Sequence, residues 1–234
     1  MLRTLAHIFE MTLALPGSVI FIDEFENSLP GLSGVSTTGA MTADTYCIVA
    51  GYGNPQYKKR IPELMEDFRS NPAIDHFFIC VDAESKSCAE VAEEIENEVK
   101  KHIRASQLSI HIIIQSGCIE TWFLGHTAMM QQVAGASRMS KYVKFYDVSA
   151  KDPEHMGAHP DHPIRAHFHQ EYLKEMFLAQ TPRQRYRKKS PGLVLEKPCL
   201  DALRERCATT SHLPSLQKLF TTWDARTSTP ASNQ

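Results

Sequence analysis

The chain has 234 residues, 42% apolar and 22% charged, which is enough for one sizeable core, or one core with an appended helical subdomain. Its 25 basic and 27 acidic side chains leave a formal charge of −2, so the chain as a whole is no polycation, and any nucleic-acid binding must come from a local patch. No apolar stretch approaches the roughly 20 residues of a membrane span, and the first segment carries Arg3, His7 and Glu10 in place of a basic-then-apolar leader, so the expectation is a cytoplasmic protein with no membrane partner.

Apolar residues at Leu2, Leu5, Ile8, Phe9, Leu13 and Leu15 predict a helix that Pro16 and Gly17 stop. The run Val19, Ile20, Phe21, Ile22 predicts a buried strand, and the Gly, Ser, Thr and Pro-rich stretch 27–43 predicts an irregular linker. Further strands are expected over 46–50, 76–81 and 110–114. Between them stand a Gly51–Asn54 turn, a helix with Ile61, Leu64, Met65 and Phe68 on one face, and a helix with Ala92, Ile95, Val99 and Ile103 at helical spacing. Ser87 and Glu90 have capping-box spacing ahead of that second helix. Another helix is expected over 119–130. Strands alternating with helices, and strands apolar throughout, predict an α/β fold with a mainly parallel sheet flanked by helices.

Past Lys141 helical patterns recur near 170–178, 200–207 and 216–223 with no strand between them. The expected organisation is therefore an N-terminal helix, strand and linker over 1–42, an α/β core over 43–140, a helical extension over 141–223 and a disordered tail over 224–234. Six cysteines without a CxxC pair, three of them in or beside strand-like runs, read as reduced core thiols. His155, His159, His162, His167 and His169 are interrupted by Pro153, Pro160 and Pro163 and joined by no cysteine pair. They do not read as a zinc site, and His167 and His169 are expected to pack or hydrogen-bond at the start of the helical extension.

In a parallel sheet, ligands gather beyond the carboxyl ends of the strands. Asp23 and Glu24, Asp82 and Glu84, and Glu120 all fall at that edge. Asp82 and Glu84 are two apart, so in extended backbone they point the same way and can bind one hard cation, Mg2+ or Mn2+. Lys58, Lys59 and Arg60 follow the glycine turn, and Arg183, Arg185, Tyr186, Arg187, Lys188 and Lys189 form the densest basic run, with a tyrosine available for stacking. Both suit phosphates, and both also suit a solvated surface.

The strand ending in Asp82-Ala83-Glu84, with the later Gln115-Ser116-Gly117-Cys118-Ile119-Glu120-Thr121-Trp122, resembles the TOPRIM fold of topoisomerases, primases and overcoming-lysogenization-defect nucleases. The last stretch is similar to that of small stand-alone TOPRIM-like proteins of bacterial defence loci, the RloB type. The resemblance covers about residues 46–126. It implies a TOPRIM-like sheet and a metal-dependent nuclease acting on DNA or RNA in anti-phage defence, with Asp82 and Glu84, joined by Glu120, holding magnesium. It further implies an early glutamate, Glu24 or else Glu26, as proton-transfer group, phosphate contacts from the basic helix start at Lys58 and Lys59, and a partner ATPase, while Arg185, Arg187 and Lys188 are expected nucleic-acid contacts from the charge of their run alone. Val19-Ile20-Phe21-Ile22-Asp23-Glu24 in turn resembles the Walker B segment of the ABC-type ATPases that accompany such nucleases. No G-x-x-x-x-G-K-[ST] loop occurs anywhere, so the chain is no complete nucleotide hydrolase by that route. A catalytically inactive TOPRIM-like adaptor binding such an ATPase is the alternative.

Overall fold

The computed structural model describes residues 19–22 and 46–49 as backbone, and residues 56–69, 75–103, 108–181, 185–188, 194 and 196–227. The expected N-terminal helix, the linker 27–43, Asp23, Glu24, Glu26, the glycine turn and the end of the tail lie outside them. The elements are β1 (Val19–Ile22), β2 (Tyr46–Val49), α1 (Gln56–Arg69), β3 (His76–Asp82), α2 (Cys88–His102), β4 (Ser109–Gln115), α3 (Ile119–Phe123), α4 (Thr127–Val133), α5 (Ser140–Phe145), α6 (Arg165–Gln180), α7 (Lys197–Thr209) and α8 (Pro214–Thr227), with 3-10 turns at Ser137–Met139 and Pro153–His155. The protein is thus mixed α/β.

β1 pairs with β2 in parallel, Val19 beside Tyr46 and Ile22 beside Val49. β3 pairs with β4. Ser109 N donates to Asp75 O at one end and Ala83 N to Gln115 O at the other, a sense of pairing that makes these strands parallel too. Among the described residues the expected single sheet is therefore two parallel pairs.

The chain divides into two compact units, one of residues 2–81 and 89–112, the other of residues 82–88 and 113–234 with Met1. This division cuts across the expected 43–140 core, because the chain beyond the middle of β4 packs with the C-terminal helices. In the unit that holds α1 and α2, Ile61, Leu64 and Met65 of α1 and Val91, Ile95 and Val99 of α2 are buried at helical spacing. Lys58 of α1 reaches Glu94 of α2 at 2.7 Å, both partly exposed, a contact worth about 0.2–1 kcal/mol.

The other unit carries most of the large buried side chains. α6 is its central helix, with Phe168, Tyr172, Leu173, Met176 and Phe177 buried, packed against α3 and α4. Its buried side chains, His169 among them, occupy one broad face, and His167, Gln170, Glu171, Lys174 and Glu175 make up the less buried side. The expected continuous helix over 119–130 is two short ones, α3 and α4, separated at Leu124–His126. Gly125 makes a turn there against Leu203 and Leu213, and His126 opens α4 by accepting the Met129 N–H on Nδ1 at 3.2 Å. α7 and α8 pack on each other and α7 on α3 and α4. The helices expected near 170–178, 200–207 and 216–223 are all present, each longer than its apolar pattern.

Buried polar groups tie the loops of this unit to those helices. The Arg206 guanidinium donates to Gly125 O at 2.9 Å and to Lys151 O at 2.8 Å. Asp152 Oδ1 accepts the Leu213 N–H at 3.1 Å, and Glu154 Oε1 accepts both N–H and O–H of Ser215 in the first turn of α8. A carboxylate donated from a distant loop thus satisfies an otherwise orphaned helix N-terminus. Cys118, Cys199 and Cys207 are buried free thiols, as expected of core cysteines, while Cys80 and Cys88 are half-buried.

Candidate functional site

The turn after β4 determines where the carboxylates stand. β4 ends at Gln115; Gly117 takes φ +87°, the left-handed region that favours glycine, and its carbonyl accepts the Glu84 N–H at 2.9 Å. A Cβ at Gly117 would come within 3.1 Å of Thr121 Oγ1 and 3.3 Å of His169 Nδ1, so the position is also tight. α3 then starts after Cys118, whose N–H and thiol both face Thr121 Oγ1, and this places Glu120 in the first helical turn with no exposed surface.

Behind Thr121 stands His169, fully buried on α6. Its Nε2 lies 3.0 Å from Met156 O and its Nδ1 2.7 Å from Thr121 Oγ1. A carbonyl only accepts, so Nε2 carries the proton and Nδ1 accepts from the threonine hydroxyl. Burial, with the Arg165 charge adding to it, lowers the imidazole's proton affinity to about 4, so His169 is a neutral strut at physiological pH. Arg165 itself bonds Ser116 Oγ at 3.0 Å and Met156 O at 2.8 Å. His169 therefore packs and hydrogen-bonds as expected, whereas His167 is exposed.

Glu120 is the centre of the site. Tyr186 donates its hydroxyl to Glu120 Oε1 at 2.9 Å, Lys188 Nζ lies 3.6 Å from the same oxygen, and Oε2 is enclosed with no hydrogen-bond partner among the described residues. Tyr186 is itself buried, edge-on to Phe177 of α6 at 5.9 Å. It is thus unavailable for stacking on a base, contrary to the expectation; it orients a carboxylate. Burial and the Glu120 charge push its hydroxyl well above the usual tyrosine range, so it remains a donor. Nothing in the basic run singled out Tyr186 for this role; an aromatic amid charges was the only signal.

Asp82, the last residue of β3, has its Oδ1 enclosed and without a hydrogen bond among the described residues. Burial pushes its carboxyl up to about 7; Lys188 opposes the rise, and Glu120 and Glu84 add to it. The Asp82 and Glu120 carboxylates therefore sense each other's charge.

Glu84 is placed differently from the expectation. β3 stops at Asp82, Lys86 N–H closes a turn onto Ala83 O at 2.9 Å, and Glu84 has φ +52° and is exposed. Extended alternation from Asp82 to Glu84 does not hold, so the enclosed pair is Asp82 with Glu120, and Glu84 acts on it from the rim by charge. Gln115, the last residue of β4, is also fully buried with both amide atoms unpartnered among the described residues. Arg185, Arg187 and Lys188 are exposed, Lys58 is engaged with Glu94, Lys59 is exposed, and Glu24 lies outside the described residues.

Among the described residues no group of three or more His, Cys, Asp or Glu side chains is arranged to hold a metal ion, and no helix is long and apolar enough to cross a membrane. No protein-family model matches the chain, and no curated protein or solved structure is significantly similar to it.

Proposed function

We propose that the protein is a divalent-metal-dependent phosphodiesterase acting on DNA or RNA, with Asp82 and Glu120 as its metal-holding carboxylates. The observation that supports this reading is the pair of enclosed oxygens with no hydrogen-bond partner among the described residues, Asp82 Oδ1 and Glu120 Oε2. Buried polar atoms are ordinarily hydrogen-bonded, and an orphaned carboxylate oxygen is costly unless something binds it. The donor set consists of hard oxygens, which suits Mg2+ or Mn2+. Mg2+ commonly takes one or two protein carboxylates and fills its remaining positions with water and substrate phosphate, so two carboxylates suffice. When bound, such an ion would polarise a phosphoryl oxygen and acidify a coordinated water.

The chain's own residues supply the remainder. Tyr186 holds Glu120 through Oε1 and leaves Oε2 to face the site. Burial raises the Asp82 carboxyl to about 7, so Asp82 would have to give up a proton to hold a cation near neutral pH. Lys188, Arg187 and Arg185 on the exposed face offer contacts to phosphate that carry no sequence information. From the TOPRIM resemblance come the nucleic-acid substrate, a proton-transfer role for Glu24, the defence setting and an ABC-type ATPase partner.

Incubation of the purified protein with plasmid DNA and with total transfer RNA tests this reading. Cleavage is expected with Mg2+ or Mn2+, is expected to stop with a chelator, and is expected to fall by a factor of about 100 or more in Asp82→Ala and Glu120→Gln. A second reading, the inactive adaptor, draws on Lys188: a cation of the chain already faces Glu120, so the pair can be neutralised without metal. A stable complex with an ABC-type ATPase, with no cleavage of either substrate in its presence, would select the adaptor.

A further inference from the structure

The Arg185–Lys188 segment is fastened to Glu120 at two points of unlike chemistry. Tyr186 is buried, and its bond to Glu120 Oε1 is neutral and enclosed. Lys188 is half exposed, at 51% of its side-chain surface, yet its Nζ lies 3.6 Å from a carboxylate with no exposed surface at all. The lysine therefore reaches inward from solvent along a flexible stem, and its ammonium stands at the mouth of an enclosed acidic pair.

We propose that Lys188 is the resident counter-cation of the Asp82–Glu120 pair in the metal-free protein, and that a divalent cation must drive it out to bind. The inference rests on the metal-binding reading and adds to it a regulation of the same site. The two contacts divide the work. Tyr186 keeps Glu120 in one orientation whether or not metal is bound, because its donated hydrogen bond goes to Oε1, and Oε2 has no hydrogen-bond partner among the described residues. Lys188 neutralises charge only until a stronger cation arrives. A divalent ion on Oε2 and an ammonium beside Oε1 of the same carboxylate repel each other at close range, in a place with little water to screen them. The lysine is the partner able to leave, since its stem already lies half in solvent, where rehydration of the ammonium is easy. Once displaced, it stands beside Arg187 as a free positive charge for a phosphate, so metal entry and phosphate attraction are coupled through one side chain. In the metal-free state the same side chain masks the site, which holds the acidic pair together without exposing it to stray cations.

Mn2+ titration of the full chain at pH 8, followed by calorimetry or by the free-ion paramagnetic signal, tests this with wild type, Lys188→Gln, Lys188→Arg and Glu120→Gln. The lost competition of one half-exposed ion pair corresponds to Mn2+ binding about two- to fivefold tighter in Lys188→Gln, with Lys188→Arg near wild type and Glu120→Gln strongly weakened. Equal affinity in wild type and Lys188→Gln, with Glu120→Gln still weakened, would overturn the exchange and leave the metal site standing. Weaker binding in Lys188→Gln would overturn it as well, by making the lysine a helper of the metal. No Mn2+ binding by wild type or by Lys188→Gln would overturn the metal reading together with this one.

Discussion

Asp82→Asn is expected to make the protein more stable at pH 8 by about 1–3 kcal/mol while removing its response to divalent metal. The carboxyl of Asp82 is raised from 3.8 to about 7, mainly by burial. Between about pH 4 and pH 7 the folded chain thus keeps a proton that the unfolded chain has released. Stability attributable to this group is fully present below about pH 4, falls as pH rises through the window, and stays low above about 7. Asparagine removes the titration and the enclosed charge, so the two proteins converge at pH 4 and separate toward pH 8. Urea unfolding at pH 4, 6 and 8 measures the difference, and a gap that is the same at all three pH values would refute this account. Mn2+ at millimolar concentration should raise the midpoint of the wild type and leave that of Asp82→Asn unmoved, because only a protein that binds the ligand when folded gains stability from it.

Gly125→Ala is expected to destabilise the helical unit by about 2–4 kcal/mol, an overpacking effect at the upper end of its usual range. A Cβ there would stand 2.8 Å from the carbonyl oxygen of Trp122 and 3.0 Å from Leu203 Cδ2, and would press on Leu213. Leu213 cannot yield cheaply: it has φ +56° and its N–H is held by Asp152 Oδ1 at 3.1 Å. Shifting the backbone instead would disturb the bond from Arg206 to Gly125 O. Gly135→Ala provides the control, since nothing lies within 4 Å of its added Cβ. Denaturant midpoints of the two variants should differ clearly, with Gly135→Ala close to wild type, and similar midpoints would argue against tight packing at Gly125.

Local patterns in the sequence were enough to place most elements. The apolar runs at 19–22, 46–49, 76–82 and 109–115 are strands, and the helical spacings bury Ile61, Leu64 and Met65, Ile95 and Val99, and Leu200, Leu203 and Cys207, whereas of the other two residues marked on the second helix Ala92 is half-buried, with Val91 buried beside it, and Ile103 lies past the helix end and is exposed. These signals survive because burial of a strand or of one helix face leaves a period that neighbours in sequence carry by themselves. The break at Leu124–His126 was not legible, since a lone glycine is tolerated inside a helix and its meaning depends on Leu203 and Leu213, some 80 residues away.

The candidate site was half legible for the same reason. Asp82 and Glu120 were identifiable as acids at strand ends. Pairing Asp82 with Glu84 followed from extended geometry, and the turn at Glu84, tied to Gly117 O, replaced that partner with Glu120. What the sequence by itself determined is the kind of chemistry available, a few carboxylates beyond parallel strands and a basic run near the end. Tertiary structure alone decided which carboxylates are enclosed, that a tyrosine 66 residues downstream orients one of them, and that a lysine faces the pair. Charge and hydrogen bonding act through space, and only the folded chain brings Glu120, Tyr186 and Lys188 within a few ångströms of one another.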